Sequence, residues 1–248
     1  MRIIILGLGK VGTKINNLCE NFALPVGATI APHNPRATHK KISEVTLTPG
    51  DTVIDFSTPD SVLENVAYIA QRGANIVMGT TGWDRDKEKV KALVAKSKIG
   101  FAYTPNYMPE VNIFWELTEF LAARLSELSP HAFHAHVFEK RLHTKKSASG
   151  TAKNIATILS NQKNLIFEQE NNFLSTLSGS KPLDLTVEFS SESDSFSLHF
   201  ESKDSEKDTT AYAEMAIRTA KWLENKQGFF ELTPAMIGKI NSLKVLEV

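Results

Sequence analysis

Arg2-Ile3-Ile4-Ile5-Leu6 runs straight into Gly7-Leu8-Gly9-Lys10-Val11-Gly12, and that junction narrows the folds open to this chain more than any other feature. A β-branched run with no polar alternation is the pattern of a strand buried on both faces, as in a parallel sheet. Ile15, Leu18, Cys19 and Phe22 then recur at helical spacing. Between strand and helix, each glycine has its own task. Gly7 permits a tight turn, Gly9 lets a pyrophosphate approach the backbone, and Gly12 lets helix and strand pack closely. The N–H groups and dipole at the helix start favour an anion there. The same residues are also compatible with a plain strand-to-helix turn.

The alternation continues. Pro25 to Ile30 reads as a strand, 31–50 as mostly loop, and Thr52 to Phe56 as a strand. Thr58-Pro59-Asp60 starts a helix with Val62, Val66, Ile69 and Ala70 inward, and Gly73 stops it. Asn75 to Met78, a charged helix with Val90, Leu93 and Val94 inward, and Ile99 to Tyr103 complete the series. This rhythm implies an α/β, Rossmann-like domain with helices on both faces of a parallel sheet. After Asn106 the character changes. Ile113, Leu117, Phe120, Leu121 and Leu125 mark a long amphipathic helix, with Trp115 and Phe120 expected in the core or an interface. His131 to Phe138 suggests a strand, and a helix with Ile155, Ile158 and Leu159 follows Ser149-Gly150-Thr151. Leu185, Val187 and Phe189, then Phe196, Leu198 and Phe200, alternate as a hairpin with one buried face. A final helix carries Ala213, Ala216, Ala220, Trp222 and Leu223 back to the first domain. The expected division is therefore a dinucleotide-binding domain over 1–106 and 217–248, and an α+β substrate and oligomerisation domain over 107–216. The open mixed sheet of the second domain would be covered by a copy of itself, which implies a homo-oligomer.

Composition excludes several function classes. Twenty-eight basic and 28 acidic side chains cancel, so nothing global attracts nucleic acid or a membrane surface. Cys19 is the single cysteine, which rules out an internal disulfide and a thiolate metal cage. The apolar run at the start is too short to span a bilayer and ends in a glycine loop, so a cytoplasmic location is expected. His131, His134 and His136 are metal-like types, but no carboxylate or thiol is spaced to complete a set, and no metal is expected.

The remaining motifs suggest redox chemistry on a small acid. Gly79-Thr80-Thr81-Gly82 and Thr104-Pro105-Asn106-Tyr107 follow successive strands, at the edge where open α/β sheets bind ligands. Backbone and hydroxyl groups there suit a nicotinamide ribose and amide, although both could be simple turns. The acidic residue usual after the second strand is missing. His33, Arg36 and Lys40 stand there instead, where they could meet a 2′-phosphate or be a basic surface loop, so NADPH and NADH both stay open. Glu139 to Lys146 brings four cations and His143 close to Ser149-Gly150-Thr151. A helix start and a lysine can each neutralise one carboxylate of a di-acid; a solvated basic loop is the plainer alternative.

Taken in order, Gly7-Leu8-Gly9-Lys10-Val11-Gly12, Asp55-Phe56-Ser57-Thr58-Pro59, Gly79-Thr80-Thr81-Gly82, Val111-Asn112-Ile113-Phe114 and Ser149-Gly150-Thr151-Ala152 resemble the dihydrodipicolinate reductase (4-hydroxy-tetrahydrodipicolinate reductase) family. Ala220-Lys221-Trp222-Leu223 and Gly228-Phe229-Phe230 resemble the family's ending, so the likeness covers nearly the whole chain. The resemblance implies a tetramer and NAD(P)H-dependent reduction of a cyclic dicarboxylate, with loss of water, to tetrahydrodipicolinate in lysine and diaminopimelate biosynthesis. It implies that Lys145 acts at a substrate carboxylate or imine, and that Ser149, Gly150 and Thr151 bind the substrate. Gly7 to Gly12, Gly79, Thr80, Thr81, Thr104, Asn106 and Tyr107 would hold the cofactor. Aligned from Glu139, Arg141 and Leu142 fall where the family has two histidines, and the stretch from Lys145 to the loop is one residue shorter. Arginine is a poor proton donor but can stabilise negative charge. His143 could supply the imidazole or be a surface residue. Met108-Pro109-Glu110 replaces small family residues, and Asp208-Thr209-Thr210 stands where a family arginine is expected. These departures leave room for another amino-dicarboxylate as substrate, or for a non-catalytic dinucleotide-binding regulator.

Overall fold

The computed structural model describes residues 1–128, 133–142, 148–179, 181–203 and 205–242. In chain order the elements are β1 (Arg2–Leu6), α1 (Lys10–Leu18), β2 (Val26–Ile30), β3 (Asp51–Asp55), α2 (Val62–Ala70), β4 (Asn75–Met78), α3 (Lys87–Ser97) and β5 (Gly100–Tyr103). Then come α4 (Pro109–Ser126), β6 (Phe133–Leu142), α5 (Gly150–Ser160), β7 (Leu165–Ile166), α6 (Gln169–Asn172) and β8 (Phe173–Gly179). The last are β9 (Leu183–Ser190), β10 (Ser195–Ser202), α7 (Ser205–Leu223), β11 (Gly228–Glu231) and α8 (Pro234–Asn241). The chain divides into two compact units, one of Met1–Pro109 with the chain from Thr209 onward, the other of Glu110–Asp208. The return to the first unit thus falls inside α7, eight residues before position 217, where the sequence pattern sets it.

The first unit is a six-stranded sheet in the order β11-β5-β4-β3-β1-β2, parallel throughout. The apolar run of β1 lies inside it because both of its faces are covered. Ile4 and Leu6 share a core with Val53, Ile76 and the helices α2 and α3. Ile3 and Ile5 share the opposite core with Ile54, Val77, α1 and α7. Each such fully buried side chain contributes about 1.5–3 kcal/mol relative to exposure. Strand order reverses between β1 and β3, so the crevice between the turns that follow them is where an open α/β sheet takes a ligand. At the opposite edge the Arg2 guanidinium forks onto Asp51, with Nε donating to Oδ1 at 2.9 Å and Nη2 to Oδ2 at 2.7 Å. One local expectation shifts, and one element is added. A 3-10 turn, Pro59–Ser61, precedes α2, and Thr58 makes no side-chain cap bond. Gly228-Phe229-Phe230 is a strand, on which Phe229 stacks against Phe101 at 4.9 Å.

The second unit is a mixed five-stranded sheet. β6 is central, antiparallel to β9 and parallel to both β7 and β8, while β9 and β10 form the expected hairpin. Alternation puts Phe133, Ala135, Val137, Leu185, Val187 and Phe189 on one buried face. β7 and β8 carry no clear alternation in the sequence. α4 turns a different face inward from the one its apolar stripe indicates. Val111, Phe114, Trp115, Thr118, Ala122 and Leu125 are buried, whereas Ile113, Leu117 and Phe120 are 53%, 49% and 61% exposed. Both sides of this helix carry apolar residues, and Asn112 and Thr118 on the inner side weaken its signal. Among the described residues no helix is long and apolar enough to cross a membrane.

Candidate active site

Three turns meet at the carboxyl edge of the parallel sheet. Gly7 has φ +92°, and a Cβ there would lie 2.2 Å from the Phe56 carbonyl oxygen. A Cβ on Gly12 would lie 1.9 Å from the Gly7 carbonyl oxygen, so the helix can sit this close to the turn only without a side chain. Gly9 caps α1 with no side-chain bond, open space lies where its Cβ would be, and the first turn holds no acidic residue. The positive end of α1 is therefore presented across Gly9, beside the half-buried Leu8 and Val11 and the exposed Lys10. Asn34 Nδ2 donates to the Leu8 carbonyl at 2.8 Å and ties the loop after β2 to this turn.

Beside the turn is a cavity of about 610 Å³, with Gly7, Ile30, His33, Lys40, Phe56 and Tyr68 in its walls. His33 and Lys40 thus share one space, with Lys41. Arg36 instead lines a separate cleft with Thr13, Asn16 and Thr38, because Asn34 Oδ1 accepts from the Arg36 N–H and turns the chain there.

The turn after β4 is held from several sides. A Cβ on Gly79 would lie 2.1 Å from the Phe56 ring. Thr80 is buried and Thr81 exposed. Trp83 Nε1 donates to the Thr80 carbonyl at 2.7 Å, with its ring edge-on to Tyr103. Thr104 Oγ1 donates to the Asn106 carbonyl at 2.8 Å, and Asn106 Oδ1 accepts from the Met108 N–H at 2.8 Å. Tyr107 is wholly buried. Its hydroxyl donates to the Met78 carbonyl at 2.9 Å, and its ring meets Phe56 and Tyr212. Burial raises its phenol well above the ordinary range. The Tyr107 side chain is therefore committed to holding the end of β4.

In the second unit Ser149 caps α5, its Oγ accepting from the Ala152 N–H at 3.0 Å. Gly150 is exposed with open space at its Cβ position, and Thr151 is buried with its carbonyl accepting from Trp115 Nε1 at 3.2 Å. Glu139, which opens the cationic segment but has no role assigned from the sequence, is 1% exposed. Its carboxylate accepts from the Ser149 N–H at 3.0 and 3.2 Å and from Ser175 Oγ at 2.6 Å. Arg141 Nε lies 4.0 Å from it, on the same face of β6. Glutamate in a strand that alternates buried and exposed residues was the available signal. His143 and Lys145 lie outside the described residues. His134 is exposed, and His136 stacks on Phe138.

A doubly covered parallel sheet, a glycine turn that opens a helix at the strand-order reversal and a separate mixed-sheet unit define a dinucleotide-binding protein of the Rossmann class. Family models described as dihydrodipicolinate reductase, N-terminus and C-terminus, match residues 1–107 and 110–236. The chain belongs to the dihydrodipicolinate reductase family. It is 34% identical over 110 residues to a 4-hydroxy-tetrahydrodipicolinate reductase of Archaeoglobus fulgidus, covering 44% of this chain and 40% of that protein. With the Christiangramia forsetii enzyme of the same name it is 28% identical over 162 residues, 63% of this chain and 62% of that one. The chain thus spans less than two thirds of the length of these curated relatives. In fold it is similar to a dipicolinate-bound dihydrodipicolinate reductase from Paenisporosarcina sp., with a TM-score of 0.68, 17% identity, and 98% and 99% of the two chains covered.

Proposed function

We propose that this protein reduces 4-hydroxy-tetrahydrodipicolinate to tetrahydrodipicolinate with NAD(P)H, in lysine and diaminopimelate biosynthesis. The observation that carries this reading is the joint match of both family models, together with a glycine turn whose close contacts admit no side chain at Gly7 or Gly12. The dicarboxylate in the Paenisporosarcina structure supports a cyclic di-acid as substrate.

A bound NAD(P)H supplies the hydride. Gly7 to Gly12 and the start of α1 hold its pyrophosphate. Gly79, Thr80, Thr81, Thr104 and Asn106 position the nicotinamide ribose and amide, and the main chain of Tyr107 closes that edge. The second unit binds substrate: Ser149, Gly150 and Thr151 grip one carboxylate at the start of α5, and Lys145 engages the other, or the imine. Arg141 carries a permanent charge, so it stabilises negative charge and does not deliver a proton. His143 is the proton donor in this scheme. On the sheet face away from α4 and α5, Phe138, Ile166 and Leu174 are 40%, 38% and 57% exposed. A copy of the same face covers them in a cytoplasmic homo-oligomer, a tetramer by family resemblance, and Leu174→Lys should lower the assembly size in light scattering.

The direct test mixes the chain with freshly made substrate and follows NADH and NADPH oxidation separately. Lys145→Ala should abolish most of the rate with dinucleotide binding kept; full activity in that variant removes Lys145 from the chemistry. Arg141 in place of a family histidine favours one second reading, reduction of a different amino-dicarboxylate. A substrate panel with the same absorbance readout separates the two.

A further inference from the structure

Asp55, the last residue of β3, is 0% exposed and sits where strand order reverses. Its carboxyl Oδ1 accepts two hydrogen bonds, from the Ser57 N–H at 2.8 Å and from the Thr80 hydroxyl at 3.0 Å. Its main-chain carbonyl accepts two more, from the N–H groups of Gly79 at 2.8 Å and Thr80 at 3.1 Å. One residue therefore joins the turn after β3 to the turn after β4. The residue between those bonds, Phe56, fills the gap that remains: its carbonyl lies against Gly7 and its ring against Gly79. The Asp55 side chain thus adds a tie between the second and third turns to the main-chain bonds and strand pairing that join them.

The carboxyl is used on one side alone. Oδ2 is buried and finds no hydrogen-bond partner among the described residues. A carboxylate so placed, with no cation paired to it, would leave charge in an apolar setting at a cost of several kcal/mol. Burial accordingly raises its proton affinity above that of an ordinary aspartate, against the lowering effect of the Ser57 and Thr80 bonds. A neutral side chain with one acceptor oxygen satisfies every bond that Asp55 makes.

We infer that Asp55 is a positioning residue for dinucleotide binding: its single acceptor oxygen, and not its charge, locks the Thr80 turn against the Phe56 turn at the spacing the cofactor needs. This rests on the reading of the first unit as the dinucleotide-binding part. Asp55 itself touches no reacting atom in this account; it acts through Thr80 and Ser57.

The test is dinucleotide affinity in the full-length chain, measured by NADH and NADPH fluorescence titration, beside a melting curve for each variant. Asp55→Asn keeps the acceptor oxygen and discards the charge, and should stay within threefold of the parent Kd. Asp55→Ala and Asp55→Leu remove the acceptor and should weaken binding at least tenfold. Thr80→Val takes away the hydroxyl donor with little change of shape. It should weaken binding severalfold in the parent and add nothing in the Asp55→Ala background, a coupling that a general loss of stability would not give. Should both acceptor-less variants fail to fold, the Asn and Val variants decide alone. Binding by Asp55→Asn as weak as that of Asp55→Ala, or a tenfold loss in Asp55→Asn alone, overturns the inference, as does Thr80→Val binding like the parent. A parent chain that binds dinucleotide but reduces no dicarboxylate defeats the proposed reaction and leaves this inference standing. A parent chain that binds neither dinucleotide defeats both.

Discussion

Each unit of this protein fixes a turn of the candidate site with one buried carboxyl, yet the two carboxyls are satisfied in different ways. In the first unit Asp55 uses one oxygen, has no paired cation among the described residues, and has its proton affinity raised by burial. In the second, Glu139 uses both oxygens, taking the Ser149 N–H and the Ser175 hydroxyl, and Arg141 stands 4.0 Å away. The difference follows from what surrounds each turn. Asp55 is enclosed by the apolar strands of a doubly covered sheet, where a neutral acceptor is cheapest. Glu139 lies on β6 with Arg141 on the same face, where a charged acceptor can be compensated. A buried carboxyl can therefore serve as a plain hydrogen-bond acceptor or as one half of an ion pair, and the surrounding chain decides which.

The largest expected effect is at Glu139. Glu139→Ala leaves the Ser149 N–H and the Ser175 hydroxyl without this acceptor and removes the carboxylate 4.0 Å from Arg141, and should cost about 3–5 kcal/mol in urea unfolding, as when one member of a buried charged pair is removed. Glu139→Gln should fall clearly between parent and alanine variant; equality with the parent would show that Glu139 also acts only as an acceptor, and the contrast with Asp55 would collapse. Next is Gly79→Ala, whose methyl group would meet the Phe56 ring at 2.1 Å. It should cost about 1–3 kcal/mol, as overpacking does, and weaken dinucleotide binding with it. Normal stability and affinity would show that Phe56 is free to move.

A smaller effect lies in the pH dependence of stability. Asp55 holds its proton more tightly folded than unfolded, so its contribution to stability is present at low pH. That contribution is lost as pH rises from the ordinary carboxylate range through the raised folded value. Asp55→Asn should flatten that part of the profile, so its advantage over the parent grows with pH and then levels off. A parent profile that rises over the same span, with Asp55→Asn lacking the rise, would break the reading that folding raises the proton affinity of Asp55. The smallest effect is at the other end of the same strand. Burial pushes the Asp51 carboxyl up, but the Arg2 fork and the Thr48 bonds more than reverse this and leave it lowered. Its contribution is present above the ordinary range and lost as pH falls, opposite in sign to that of Asp55. Asp51→Asn should lower stability slightly at neutral pH and converge with the parent in acid. The effect is modest because the Arg2 side chain is 40% exposed and water screens the pair.

Strand β1, the glycine turn and the rhythm through β5 were legible because each strand there is covered on both faces, so local pattern and tertiary environment agree. The inward face of α4 was not, because a helix apolar on two sides has no face that periodicity prefers. β7, β8 and β11 were missed as strands because two to seven residues without clean alternation take their conformation from the neighbours they pair with. Tyr107 was read for its position after a strand, but its ring belongs to an aromatic cluster with Phe56 and Tyr212 that brings together distant parts of the chain.

By itself the sequence determined the class of fold, the glycine turn and the family, since these depend on short contiguous motifs whose physics is local: a buried strand, glycines without Cβ, a helix start without a side-chain cap. Only the tertiary structure decided which polar residues hold those motifs in place. Asp55 and Thr80 are 25 residues apart and Glu139 and Ser175 are 36 apart. A hydrogen bond across such a separation is set by strand register and burial, which no local pattern encodes.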